Sequence, residues 1–213
     1  MSPPKSETRY TVEEYLAMER ESEERHEYLD GIVYAMAGES PEHGEICMNL
    51  SRIISAQLMG KPCRARSKDS KVRNGPIPKT CHTTKGLYSY PDLLVVCGEP
   101  EFHDKYRDVL LNPKVIIEVL SPTTEAFDRG EKFLRYRTFV ESLTDYLVVV
   151  QSRSLIEHFA RQPNGQWVIA ATATEISRSV ELTSIDCVLG LSKVYDRIVF
   201  PAPTDEEADP TDN

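Results

Sequence analysis

Residues 115 to 120 read Val-Ile-Ile-Glu-Val-Leu. An apolar run of this length without polar alternation predicts a strand buried on both faces, which obliges the rest of the chain to cover a sheet from two sides. Glu118 interrupts that run. A buried carboxylate without a partner costs several kcal/mol, and nothing adjacent in the sequence supplies a cation. Its partner must come from elsewhere in the fold.

The surrounding pattern supplies the layers. Thr11 with Glu14 forms a capping box that predicts a helix to about residue 21, and Asp30-Gly31 between two short apolar-alternating runs signals a hairpin. Ser40 as cap, Pro41 at the first helical position, apolar residues at Ile46, Leu50, Ile53 and Leu58, and Gly60 as stop predict a second helix. The runs YPDLLVVC, KVIIEVL, DYLVVV, LIEHFA and QWVIAAT read as strands, and the basic stretch after Gly60 has room for two short ones. Between them DRGEKFLRYRTFV is amphipathic, and Asp128 with Glu131 predicts a capping box at its start. The order of helix, hairpin, helix, strands, helix, strands implies an α/β fold: a mixed sheet flanked by helices. With 213 residues and no shift of composition, the expectation is one domain over residues 10–200, followed by an acidic, disordered tail over 201–213.

The net charge of −9 would argue against a polyanionic partner were it evenly spread. Five acids lie in the tail (Asp205, Glu206, Glu207, Asp209 and Asp212), and seven lie between residues 13 and 27. Residues 61 to 79 instead carry Lys61, Arg64, Arg66, Lys68, Lys71, Arg73 and Lys79 against Asp69 alone, a patch suited either to backbone phosphates or to a solvated edge. The first ten residues lack an apolar targeting segment, and no run suits a membrane span, so a soluble, cytoplasmic chain is expected. Five cysteines without a CxxC pair predict reduced thiols. Cys81-His82 lacks further ligands at metal-site spacing, so zinc is not expected there.

Asp92 stands at the mouth of one predicted strand and Glu118 near the end of another. Pairing of those strands would bring two carboxylates together, where they repel unless a proton or cation lies between them. An oxygen-only ligand set suits Mg²⁺ or Mn²⁺. The competing expectation is that an Arg or Lys satisfies Glu118.

Pro91-Asp92, Glu118-Val119-Leu120-Ser121-Pro122, DRGEKFLRYR and the upstream YLDGIVYAMAGESPEHGEI together resemble the Uma-type family of putative restriction endonucleases, within the PD-(D/E)XK nuclease superfamily, over about residues 10 to 197. The resemblance implies a restriction-endonuclease-like fold and metal-dependent hydrolysis of phosphodiester bonds. One position departs from the superfamily pattern: the lysine expected two residues after the Glu is Leu120. Lys132, in the helix that follows, is the candidate replacement. Under this reading Asp92, Glu118 and the Val119 carbonyl hold Mg²⁺ or Mn²⁺, and Glu27 matches an upstream acid that completes the metal shell. Lys132 then orients water or offsets developing charge. His43 is expected as a packing or helix-end residue more than as a ligand, and Tyr136 as core. Double-stranded DNA is the expected substrate, held through phosphates by the basic stretch, and a homodimer would serve two strands. The alternative is a catalytically silent nuclease-fold module that binds nucleic acid or another partner.

Overall fold

The computed structural model describes residues 9–36, 38–80 and 82–201. Cys81 and the acidic tail beyond residue 201 lie outside the described residues, and with them the expectations placed there.

The first helix, α1 (Val12–Glu21), opens on the predicted capping box: Thr11 and Glu14 satisfy each other's backbone N–H. The hairpin β1 (His26–Leu29) and β2 (Ile32–Ala35) follows, its two-residue turn placing Asp30 at φ 47° and Gly31 at φ 98°. The long helix α2 (Pro41–Leu58) is capped by the Ser40 side chain, which accepts from His43 N–H. Then come β3 (Cys63–Ser67), β4 (Lys71–Arg73), β5 (Leu87–Ser89), β6 (Leu93–Cys97), β7 (Val109–Leu110) and β8 (Val115–Leu120). A helical segment follows in three parts: α3 (Glu125–Phe127), a π-helical turn (Asp128–Lys132) and α4 (Phe133–Phe139). The chain ends with β9 (Asp145–Val150), β10 (Ile156–Arg161), β11 (Trp167–Ala173), β12 (Ser179–Leu182), β13 (Cys187–Gly190) and α5 (Leu191–Val194).

The principal sheet has the order β11-β10-β9-β8-β6-β3, with β8 and β9 parallel and the other pairs antiparallel. This is the mixed sheet that the sequence predicts. Every residue of β8 is buried, because its two faces meet different layers. Val115, Ile117 and Val119 pack with Ile46, Leu50 and Ile54 of α2, whereas Ile116 and Leu120 pack with Phe133 and Tyr136 of α4. By the same alternation Glu118 lies on the α4 side. A second sheet, β2-β1-β5-β4-β7, contributes the hairpin, and β12-β13 form a separate ribbon. No helix among the described residues is long and apolar enough to cross a membrane.

Two expectations are corrected. Asp128 does not cap a helix: helical backbone already begins at Glu125, and Asp128 lies buried in the π-helical turn, bonded to a lysine rather than to backbone N–H. The expectation of reduced thiols also fails for two of the five cysteines, since Cys63 and Cys97 form a disulfide. They are 34 residues apart, but directly opposite each other in the antiparallel β3–β6 ladder. Spacing along the chain concealed a pairing that strand register creates.

Candidate active site

Strand pairing brings the two carboxylates together. The β6–β8 register aligns Leu93 with Ile117, so the residue before β6 faces the end of β8. Asp92 Oδ2 accepts a 2.7 Å hydrogen bond from Val119 N–H. Glu118 is 2% exposed.

The cation that Glu118 requires arrives from the helical segment. Lys132 Nζ lies 3.0 Å from Glu118 Oε1, 3.2 Å from Asp128 Oδ1 and 3.6 Å from Glu27 Oε1. Glu27 comes from β1, where its carboxylate also accepts from Tyr90 N–H at 3.1 Å. Asp128 and Lys132 are four residues apart, so the helical segment presents both side chains on one inward face, across its π-helical turn. Leu120, two residues beyond Glu118, is packed against the core beside Phe133 and Tyr136. The ammonium therefore approaches the same face of β8 from across the layer instead of from along the strand.

The charges are not balanced by Lys132 alone. Burial lifts the Glu118 carboxyl well above the usual range, with Lys132 pulling in the opposite direction. Burial by itself would lower the Lys132 ammonium, but Glu118, Glu27 and Asp128 outweigh it and raise the ammonium well above normal. The 3.0 Å ion pair to Lys132 is the one close partner of Glu118 Oε1 among the described residues, and no hydroxyl or N–H donor joins it there. Gln151 Oε1, on the same cleft, is also without one. The carboxylates of Asp92, Glu118 and Glu27 with the Val119 carbonyl make an oxygen-only donor set, the kind that suits a hard divalent cation.

His43 is the residue whose place the sequence understated. From the first turn of α2 its Nε2 approaches the Val119 carbonyl at 3.1 Å and Asp92 Oδ2 at 3.3 Å. Burial would lower its pKa, but Asp92 and Cys47 push it up to about 11, which favours the charged ring beside Asp92 in the absence of a metal. Its Nδ1 faces Glu39 at 3.3 Å, and Cys47 Sγ is 3.6 Å from Nδ1. Glu39, His43 and Cys47 place their ligand atoms within 4.8 Å of one another, a second cluster able to hold a metal ion. The helical i, i+4 spacing of His43 and Cys47, with Glu39 just before the Ser40 cap, was the available signal. Asp128 was mistaken for a cap. Tyr136 is core, as expected, its hydroxyl 2.9 Å from Ser89 Oγ.

These groups open onto a cleft of about 1150 Å³ bordered by the β1–β2 hairpin, the start of α2 and the segment after β8. The basic stretch does not act as one surface. Lys68 borders the cleft but is paired with Glu39, Lys61 is paired with Asp186, and Lys71 is buried. Arg64 and Lys79 remain exposed.

Comparison with known proteins points the same way. A family model described as "Uma2: Putative restriction endonuclease" matches residues 12–192. An uncharacterized protein of Synechocystis sp. is 33% identical over 199 residues, 93% of this chain and 98% of that protein. A second from the same organism is 30% identical over 159 residues, covering 75% of this chain and 85% of its own length. Among solved structures, a putative nuclease belonging to DUF820 from Anabaena variabilis superposes with a TM-score of 0.67 at 15% identity, over 89% of this chain and 99% of that one. That likeness establishes the fold, a nuclease-type mixed α/β architecture.

Proposed function

The chain belongs to the Uma2 family of putative restriction endonucleases, and from that membership and the buried cluster around Glu118 we propose that it hydrolyses phosphodiester bonds of double-stranded DNA with a bound divalent cation. Asp92, Glu118, Glu27 and the Val119 carbonyl would hold Mg²⁺ or Mn²⁺. When bound, such an ion polarises the scissile phosphate and lowers the pKa of its water. The chain's own residues do the rest. Lys132, held protonated by the acids around it, directs an N–H toward the attacking water or the charge that grows on phosphate oxygen. Asp128 fixes the other side of that ammonium, 3.2 Å away, so it cannot swing from the site. Tyr90 N–H orients Glu27, and His43 steadies Asp92 and the Val119 carbonyl together.

The observation that carries this reading is a buried ammonium 3.0 Å from Glu118 in a chain whose strand position 120 is Leu. A non-cleaving module would need the same ammonium to offset buried Glu118, so cleavage itself separates the two readings. Incubation of purified protein with plasmid and Mg²⁺ or Mn²⁺ tests the proposal. Nicking or linearisation that requires the metal, and is absent in Asp92→Asn, is expected. Equal cleavage by Asp92→Asn, or none by the wild type with either metal, would overturn it in favour of the non-cleaving module.

A further inference from the structure

Tyr90 forms part of the wall of two cavities: the carboxylate cleft and a smaller pocket of about 380 Å³ on its other side. At this second pocket stands Lys71 of β4, 3% exposed, with its Nζ 5.2 Å from the centre of the Tyr15 ring and 5.4 Å from that of Tyr90. Among the described residues Lys71 Nζ has neither a carboxylate within 4.0 Å nor a hydrogen-bond acceptor, although a buried ammonium without one is costly. The acids in the wall are already committed. Glu19 accepts from Tyr90 Oη at 2.7 Å and His26 N–H at 3.0 Å, Asp108 is gripped by Arg20 at 2.9 Å, and Asp69 pairs with Arg25 at 2.8 Å.

Two further cations converge on the same pocket, without a carboxylate partner among the described residues. The guanidinium groups of Arg66 and Arg107 lie 5.7 Å and 4.9 Å from the centre of the Phe102 ring. A guanidinium resting on a ring face keeps its N–H edges available for bidentate donation. Arg107 also holds a left-handed backbone, φ 57°, a conformation that costs free energy in a non-glycine residue and persists where surrounding structure enforces it. The result is one buried and two flanking cations around a small polar chamber, with the neighbouring acids occupied elsewhere.

We propose that Lys71, Arg66 and Arg107 form a binding pocket for a phosphate monoester. Two guanidinium forks and an ammonium match the several oxygens and double charge of that group better than a singly charged carboxylate. The same chemistry is presented by the terminal phosphate of a nucleic acid and by a free nucleoside monophosphate. The first source rests on the nuclease reading and would place a strand end beside the cleft, across Tyr90. The phosphate chemistry itself does not depend on that reading.

Calorimetric titration with inorganic phosphate, at low salt and without divalent metal, tests the pocket apart from any cleavage. Wild-type protein should bind phosphate more tightly than acetate, and Arg66→Ala with Arg107→Ala should weaken binding about tenfold or more. Lys71→Met should abolish it, but Lys71 packs among core tyrosines, so the arginine pair decides the matter. A flat wild-type isotherm to about 10 mM phosphate, unchanged affinity in the double arginine variant, or equal affinity for acetate would overturn the proposal. Oligonucleotides with 5′-phosphate and 5′-hydroxyl ends, compared with a nucleoside monophosphate, identify the source. Tighter binding of the phosphorylated oligonucleotide than of either comparator supports a pocket for a strand end, and equal binding of mononucleotide and phosphorylated oligonucleotide supports one for a free nucleotide. A protein that fails to cut plasmid yet binds phosphate through these arginines would refute the nuclease reading and leave the pocket standing.

Discussion

Replacing Lys132 with Met removes an ammonium from among Glu118, Asp128 and Glu27, at 3.0, 3.2 and 3.6 Å, while keeping most of the volume of the side chain. Both Lys132 and Glu118 are almost wholly excluded from water, so no solvent can take over the lost interaction. Breaking a buried ion pair by deleting one partner costs about 3–5 kcal/mol, whereas an exposed lysine can be replaced within about 0.5 kcal/mol. For a chain of this size that deficit lowers Tm by roughly 6–20 °C. Urea unfolding and calorimetry of the metal-free protein would measure it. The reasoning also fixes the sign of the coupling: Glu118→Gln added to Lys132→Met should recover more than half of the loss, because the uncompensated charge has gone. Cleavage by the single variant, assayed well below its Tm, should fall about 10²- to 10³-fold. A stability loss under about 1 kcal/mol, or a second substitution that adds its own cost to the first, would refute the claim that this pair is buried and coupled.

Divalent metal binding only to the folded state should stabilise the wild type by about 1.4 kcal/mol at ten times Kd, and an equal rise in Tm for Asp92→Asn would exclude the assigned ligands. Arg64→Ala with Lys68→Ala should flatten the salt dependence of DNA binding by up to about 1.8 log units per log unit of salt, and an unchanged slope would show that this edge faces away from the duplex. Alkylation of denatured, unreduced protein should modify Cys47 and Cys187 but leave Cys63 and Cys97 untouched, and their labelling would rule out the disulfide; closing a loop across 34 residues predicts that Cys63→Ser costs about 3–4 kcal/mol. Asp145, buried where β9 begins, would be raised by burial alone, but hydrogen bonds from His158, Ser184 and Thr144 hold its pKa below 3.8. Its contribution is therefore present above that value and lost as pH falls through the depressed one, so the deficit of Asp145→Asn, about 1–3 kcal/mol near neutrality, should shrink in acid; a deficit constant to low pH would contradict it.

The elements with strong periodicity or caps were readable because they are local. The Thr11 and Ser40 caps, the Asp30-Gly31 turn and the doubly buried β8 each declare themselves within a few residues. The meeting of Asp92 with Glu118 was also legible, since both stand at strand ends and pairing joins them. His43 was harder. Its role depends on where α2 crosses the end of β8, 76 residues later in the chain, and no pattern within α2 encodes that crossing. The short strands β5 and β7, with three and two residues, fall below the length at which alternation can be seen. Lys71 illustrates the same limit, as its burial follows from the neighbours of β4 and not from the basic run it belongs to.

The π-helical turn at Asp128–Lys132 has a further consequence for how this chain tolerates insertion and deletion. Upstream of the turn the helix is phased to aim Asp128 at the lysine, and downstream it is phased to seat Phe133 and Tyr136 in the core. One residue of α-helix corresponds to about 100° of rotation, so a deletion that restored regular hydrogen bonding here would rotate one half against the other. The repaired helix would be better formed by itself and worse for the molecule, losing either its aromatic packing or its inward ammonium. Length is thus constrained in this segment alongside the identity of Lys132, and a redesign that smoothed the helix would displace the ammonium that reaches Glu118.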